Sequence, residues 1–156
     1  MSDEDYMREA LEEAAAARNE GEAPVGAVVV MDGQVICRAH NQRESLRDPT
    51  AHAEILCLRK AAKLIGDWRL RDCALYVTLE PCPMCAGAMV MSQLGSCIFG
   101  AADPQRGCCG SVYDLPGDPK LQGRTGWQAG ILQSECEDMI RDFFAQQRKR
   151  QPGIQP

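Results

Sequence analysis

Cys82 and Cys85 stand at C-x-x-C spacing in the stretch TLEPCPMCAGAM, where a strand-like run meets prolines and then a helix-like run. Unpaired amide groups and the dipole at a helix start favour thiolates there. Taken alone, the spacing fits a redox dithiol, half of a structural zinc site, or small core residues. A redox dithiol usually works without a distant histidine. A four-ligand structural site needs a second clear ligand pair, and the chain has two histidines, His40 and His52. Three protein ligands around one open position is instead the pattern of a catalytic zinc. His52, in PTAHAEILCL, supplies the third ligand and also opens a predicted helix, so two positive helix ends would converge on one ion.

Charge arithmetic then gives a use to Glu54, two residues beyond His52. A zinc ion with two thiolates and a neutral imidazole has no net charge. It acidifies a water less than a three-histidine zinc does, so a neighbouring base is useful. A glutamate beside the metal but not bound to it can take a proton from that water. It can then pass the proton to a substrate nitrogen and on to a leaving amine. This is hydrolytic deamination of an amidine carbon. H-x-E followed by P-C-x-x-C is a signature of zinc-dependent nucleobase deaminases. HAE and PCPMC occur here in that order, each at a predicted helix start. A single histidine near a helix start more often makes a structural hydrogen bond, and a single glutamate there more often serves the dipole. The joint pattern reverses both readings.

The elements that must position these residues follow from periodicity. Residues 4–19 carry Met7, Leu11 and an alanine run at helical spacing. PVGAVVVMDGQVICRAHN is a hairpin around Asp32-Gly33. QRESLRDPT is a polar loop. Residues 51–65 read as a helix, with Asp48 or Thr50 as its cap and Gly66 as its stop. CALYVTLE is a strand, and Pro81 precedes a helix through about Ser92, with Pro83 fitting its first turn. SCIFGAA is a strand, WQAG a short one, and 131–147 a final helix. Between them, residues 103–126 form a Gly/Pro-rich segment longer than a passive connection usually is. Strand–helix alternation in the second half implies a partly parallel sheet covered on both faces. No linker or internal repeat divides the chain, which is read as one domain over 1–150 and a frayed tail over 151–156.

The 156 residues are 45% hydrophobic and 25% charged, ordinary values for a globular protein. The longest apolar run, VGAVVVM, is far short of a membrane span. The opening residues lack the basic-then-apolar order of an export signal, so a cytoplasmic location is expected. The net charge of −5 arises mainly in residues 1–22, which hold eight acids and two arginines. Charge neither demands nor excludes an RNA partner. Nine cysteines, an odd number without an export signal, favour free thiols and a metal over a disulfide framework. Cys57 and Cys136 read as small core residues and His40 as structural. Cys108 and Cys109, adjacent in the long segment, lack a nearby further ligand in sequence for a second metal.

Across most of its length, roughly residues 5–148, the sequence resembles the bacterial tRNA-specific adenosine deaminases. The resemblance rests on PVGAVVV, HNQRE, DPTAHAEI, LYVTLEPCPMCAGAM, FGAADPQRGCCGS and GILQSECEDMIRDFF. It implies a three-layer α/β/α, cytidine-deaminase-like fold whose five-stranded mixed sheet has its fourth and fifth strands parallel. It also implies a homodimer and conversion of adenosine to inosine at the anticodon wobble position of an arginine tRNA. By position, His52, Cys82 and Cys85 resemble the zinc ligands and Glu54 the proton shuttle. Asn41 resembles a base contact, and the Ala53 amide would face the oxygen of the intermediate. Asp103 resembles a contact to the anticodon-loop backbone, and Phe144 an aromatic beside the extruded bases. Without the resemblance, Asn41 and Asp103 read as turn residues and Phe144 as a rim residue. Two alternatives follow: the same chemistry on a free base or nucleotide such as guanine, or a non-catalytic zinc module that binds RNA. Glu54 argues against the second. The long segment and the aromatic, basic end of the last helix argue against the first.

Overall fold

Two-residue alternation runs through the central strands and sorts their side chains onto two apolar layers. The computed structural model describes residues 1–150; the tail expected over 151–156 lies outside the described residues. Five strands form one sheet in the order β2-β1-β3-β4-β5: β1 Gly26–Met31, β2 Gln34–His40, β3 Cys73–Leu79, β4 Ser96–Ala101 and β5 Gly126–Gln128. β1 pairs antiparallel with β2 and β3, whereas β3–β4 and β4–β5 are parallel. The five-stranded mixed sheet and the parallel fourth and fifth strands are thus as expected.

Helices cover both faces. On one face, α1 (Asp3–Asn19) and α4 (Gln133–Arg150) bury Tyr6, Met7, Ala10 and Cys136 against Val28, Val30, Tyr76 and Ile98. On the other, α2 (Ala53–Ile65) and α3 (Pro83–Met91) bury Ala53, Cys57, Leu58, Ala61 and Met89 against Ala27, Val29, Leu75, Val77, Cys97 and Phe99. The second layer carries the candidate ligands. α1 lies so close to the sheet that a Cβ at Gly26 would meet Ala10 O at 2.0 Å. Only glycine admits that backbone-to-backbone approach.

Local chemistry explains the boundaries. Asp32 and Gly33 both take positive φ (52° and 76°), as the tight turn of a two-residue hairpin requires. Gly66, left-handed at φ 74°, ends α2 with its N–H on Ala62 O. The cap expected for α2 at Asp48 or Thr50 is displaced. Asp48 Oδ1 accepts from the Thr50 N–H at 2.8 Å and the Thr50 hydroxyl at 2.7 Å, which closes a local turn. The helix starts at Ala53 with His52 in the cap position. The last helix starts two residues later than expected, because Gly130 and Leu132 hold φ of 89° and 51° and interrupt helical backbone before Gln133.

His40 is structural, as expected. Its Nδ1 lies 2.8 Å from Glu13 Oε2 and its Nε2 lies 3.0 Å from Glu20 Oε2, which ties β2 to α1 and to the residue that caps its C-terminus. Burial opposes the charged ring, but the bonds to Glu13 and Glu20 and their charges raise its pKa above the ordinary value. The stability this contributes is complete below the unfolded pKa of about 6.5 and is lost as pH rises through the higher folded value. His40→Gln is therefore expected to lower Tm most at pH 6 and least at pH 9. Thermal melts of both proteins across that range check this, and a gap that widens with pH would contradict the assigned ion pairs.

Candidate metal centre and active site

His52 and Cys82 occupy equivalent positions on their helices. Each is the N-cap, with extended backbone (φ −73°, ψ 153° and φ −74°, ψ 176°), and neither gives its side chain to the open N–H groups of its own helix. Both side chains turn to each other instead. His52 Nδ1 lies 3.5 Å from Cys82 Sγ and 3.5 Å from Cys85 Sγ, the latter one turn into α3. Pro83 at the first helical position costs no hydrogen bond and fixes the turn between the two cysteines.

The donor set fits a tetrahedral divalent ion. Metal–sulfur bonds of about 2.3 Å and metal–nitrogen bonds of about 2.05 Å at tetrahedral angles separate S from N by about 3.6 Å. Both observed S···N separations agree with that. The three ligand atoms lie within 4.8 Å of one another, the metal-ligand grouping found among the described residues. Cys108 and Cys109 are buried and join no such group among the described residues.

Electrostatics matches this geometry. Hydrogen bonding from Cys85, with help from His52, overrides burial and lowers the Cys82 pKa to about 4, so it is a thiolate. The Cys82 contact raises the pKa of His52 in return. Cys85 is pushed up by Cys82, by burial and by the charge of Glu54. Such a set holds its protons by sharing them, and a divalent cation supplies the same positive charge.

Glu54, in the first turn of α2, is 3% exposed. Burial raises its carboxyl to about 7 against the pull of the His52 charge. A buried carboxyl balanced near neutrality can both accept and release a proton. Ala53, between Glu54 and His52, is fully buried at the helix start.

The remaining candidates lie outside this group. Asn41 is buried where β2 enters the loop; its Nδ2 donates to Ala23 O at 3.2 Å and its Oδ1 accepts from Arg43 N at 3.1 Å. Each of its polar groups keeps further hydrogen-bonding capacity. The same loop returns to the metal group through Gln42 N on Ala51 O. Asp103 opens the long segment after β4; its Oδ1 accepts from Gln105 N and Arg106 N. Phe144 lies on α4, in the layer across the sheet, half-buried and edge-on to Phe143 at 5.4 Å. It is not gathered into the metal group. Phe143, rather than Phe144, lines a groove of about 330 Å³ with Arg18, Asn19 and Gln146.

Two acids escaped the sequence reading. Glu22, 1% exposed, accepts from Glu44 N at 3.0 Å and Ser45 N at 2.7 Å. Burial raises its pKa, but the donors at Ser45 and Glu44 prevail and hold it below the ordinary range. Glu80, 2% exposed, accepts from the N–H groups of Asp103, Cys109 and Ser111. Their partners are backbone groups 22 to 31 residues away, for which side-chain patterns give no signal.

The family model for MafB19-like deaminases matches residues 1–121. The tRNA-specific adenosine deaminase of Bacillus subtilis is 47% identical over 148 residues, covering 95% of this chain and 92% of that protein. A solved structure from work on A-to-I editing by tRNA:A34 deaminases at the wobble position is 40% identical with a TM-score of 0.83, over 86% of this chain and 97% of that one. A guanine deaminase of Bacillus subtilis is also 40% identical, with a TM-score of 0.63 over 65% of this chain and 66% of that one.

The ligand geometry makes a direct prediction. The purified protein is expected to carry about one equivalent of a divalent metal, and Cys82→Ala or Cys85→Ala to carry less than about a tenth of that. Both variants are expected to melt at least roughly 5 °C lower, because metal and fold share the same ligands. Elemental analysis and thermal melts check this; stoichiometric metal with native melting in either variant would rule out the ligand set.

Proposed function

The chain belongs to the tRNA-specific adenosine deaminases, and on that premise we propose that it converts adenosine to inosine at wobble position 34 of a tRNA anticodon. The observation that carries this reading is the approach of His52, Cys82 and Cys85 beside the buried Glu54. The preferred substrate is an arginine tRNA, bound by its anticodon stem-loop. The working form is a cytoplasmic homodimer with one zinc ion per chain. Among the described residues, no helix is long and apolar enough to cross a membrane.

Held by His52, Cys82 and Cys85, zinc would supply the Lewis acidity that makes a water nucleophilic near neutral pH. Glu54 takes a proton from that water as its oxygen adds to C6 of the adenine ring. Glu54 then places the proton on N1, and C6 becomes tetrahedral. A second proton passes from the C6 hydroxyl through the same carboxylate to the exocyclic nitrogen; the C6 carbonyl forms as the C6–N bond breaks, and ammonia leaves. Adenosine and water thus yield inosine and ammonia. The Ala53 amide, at the positive end of α2, is suited to stabilise the oxygen on C6. Asn41 would read the extruded base through its remaining donor and acceptor. Asp103 would contact the anticodon-loop backbone, and Phe144 would pack beside an unstacked neighbour.

The same chemistry on free guanine is the second reading, favoured by the likeness to guanine deaminase. That likeness covers less of the chain than the likeness to the tRNA:A34 enzyme. Incubation with bulk tRNA followed by inosine mapping separates the two. Inosine at position 34 of an arginine tRNA is expected. Ammonia from guanine or cytidine with no inosine in tRNA would overturn the reading.

Glu54→Ala is expected to lower kcat by about 10² to 10⁴, the usual contribution of a general acid–base group. Bound metal should stay near one equivalent, since Glu54 is not a ligand. Wild-type turnover in this variant would remove Glu54 from the mechanism.

A further inference from the structure

Glu80 lies two residues before Cys82, at the exit from β3, and no reaction step above uses it. Its carboxylate is 2% exposed and is paired with no lysine or arginine among the described ion pairs. Its charge meets donors of the long segment instead. Oε1 accepts from Asp103 N at 3.0 Å and from the Ser111 hydroxyl at 2.5 Å. Oε2 accepts from Cys109 N at 2.9 Å and Ser111 N at 3.1 Å. Four donors on one carboxylate saturate its acceptor sites. The fit is close, because a Cβ at Gly107 would stand 2.3 Å from the Glu80 carboxyl carbon. Cys108 N donates to Pro81 O at 2.8 Å, which ties the same turn to the residue between Glu80 and Cys82.

We infer that Glu80 is a positioning residue that sets the 103–111 turn, and Asp103 with it, at a fixed distance from the Cys82 end of the metal site. This rests on the reading of the protein as a tRNA deaminase. The backbone N–H of Asp103 is itself one of the four donors, so the residue assigned to the RNA backbone is held by the carboxylate that precedes a metal ligand. Side-chain packing holds the far end of the turn, where Cys108 and Cys109 are buried, but not the end at Asp103, where Ala102, Pro104, Gln105 and Arg106 are all exposed. The clamp fixes where the anticodon loop meets the protein, without touching the reacting atoms.

Glu80→Gln keeps size but turns an amide against N–H donors. Glu80→Asp keeps the acceptors on a shorter arm. Ser111→Ala removes one donor on an exposed residue and is expected to fold normally. Each is compared with wild type for metal content, for amide hydrogen exchange over 103–111, and for kcat and KM on a synthetic anticodon stem-loop. Expected for Glu80→Gln are faster exchange at Asp103, Cys109 and Ser111, a KM at least tenfold higher, kcat within threefold, and full metal content. Ser111→Ala should raise KM about threefold, and Glu80→Asp should lie between Glu80→Gln and wild type. Unchanged KM in both Glu80→Gln and Ser111→Ala would overturn the positioning role, as would a loss confined to metal or melting temperature. If Glu80→Gln fails to fold, Ser111→Ala decides alone. No inosine from the wild-type protein would refute the tRNA reading rather than the clamp; unchanged exchange over 103–111 in the variants would refute the clamp itself.

Discussion

Two helix starts face each other across 3.5 Å, and each gives up its own cap to do so. An N-cap side chain ordinarily satisfies an open amide of its helix. His52 and Cys82 instead point outward from helices whose positive ends both address one place. That place stabilises thiolate and therefore cation binding. The sheet order puts α2 and α3 on the same face, and β3 delivers Cys82 at its carboxyl end. Ligand sites in open α/β sheets gather at such ends.

Burial raises the pKa of both Glu54 and Glu22, yet their outcomes differ. At Glu54 it acts against charge and brings the carboxyl to about 7. At Glu22 the same burial is outweighed by backbone donors. One carboxyl is left able to change its protonation, while the other stays ionised and holds a loop. Desolvation that partners only partly offset gives a proton carrier; desolvation that backbone donors outweigh gives a fastener.

The chemistry was more legible in the sequence than the boundaries were. The grouping of His52, Cys82 and Cys85 was legible because candidate metal ligands come from few residue types and helix starts restrict their spacing. Strands β1, β3 and β4 were visible because buried strands need Val, Ile, Leu and Phe in runs. The α2 cap was misplaced because Asp48 and Thr50 satisfy each other, and nothing in DPTAHAE tells a turn from a cap. Glu22 and Glu80 could not be read, since all but one of their donors are main-chain amides that every sequence possesses. Phe144 carried a role only by likeness; the structure sets its ring edge-on to Phe143 on α4.

The two loops beside the metal group are anchored differently from the frame beneath them. The frame rests on interlocked side chains, down to a glycine that permits helix–strand contact. Glu22 and Glu80 grip mostly main-chain hydrogens at positions 44, 45, 103, 109 and 111. Any residue but proline offers that hydrogen. At positions 44 and 45 the side chain can therefore change while the anchoring persists, whereas burial at Cys109 and the hydroxyl that Ser111 gives to Glu80 restrict the other rim, so the two loops differ in how freely they admit substitution.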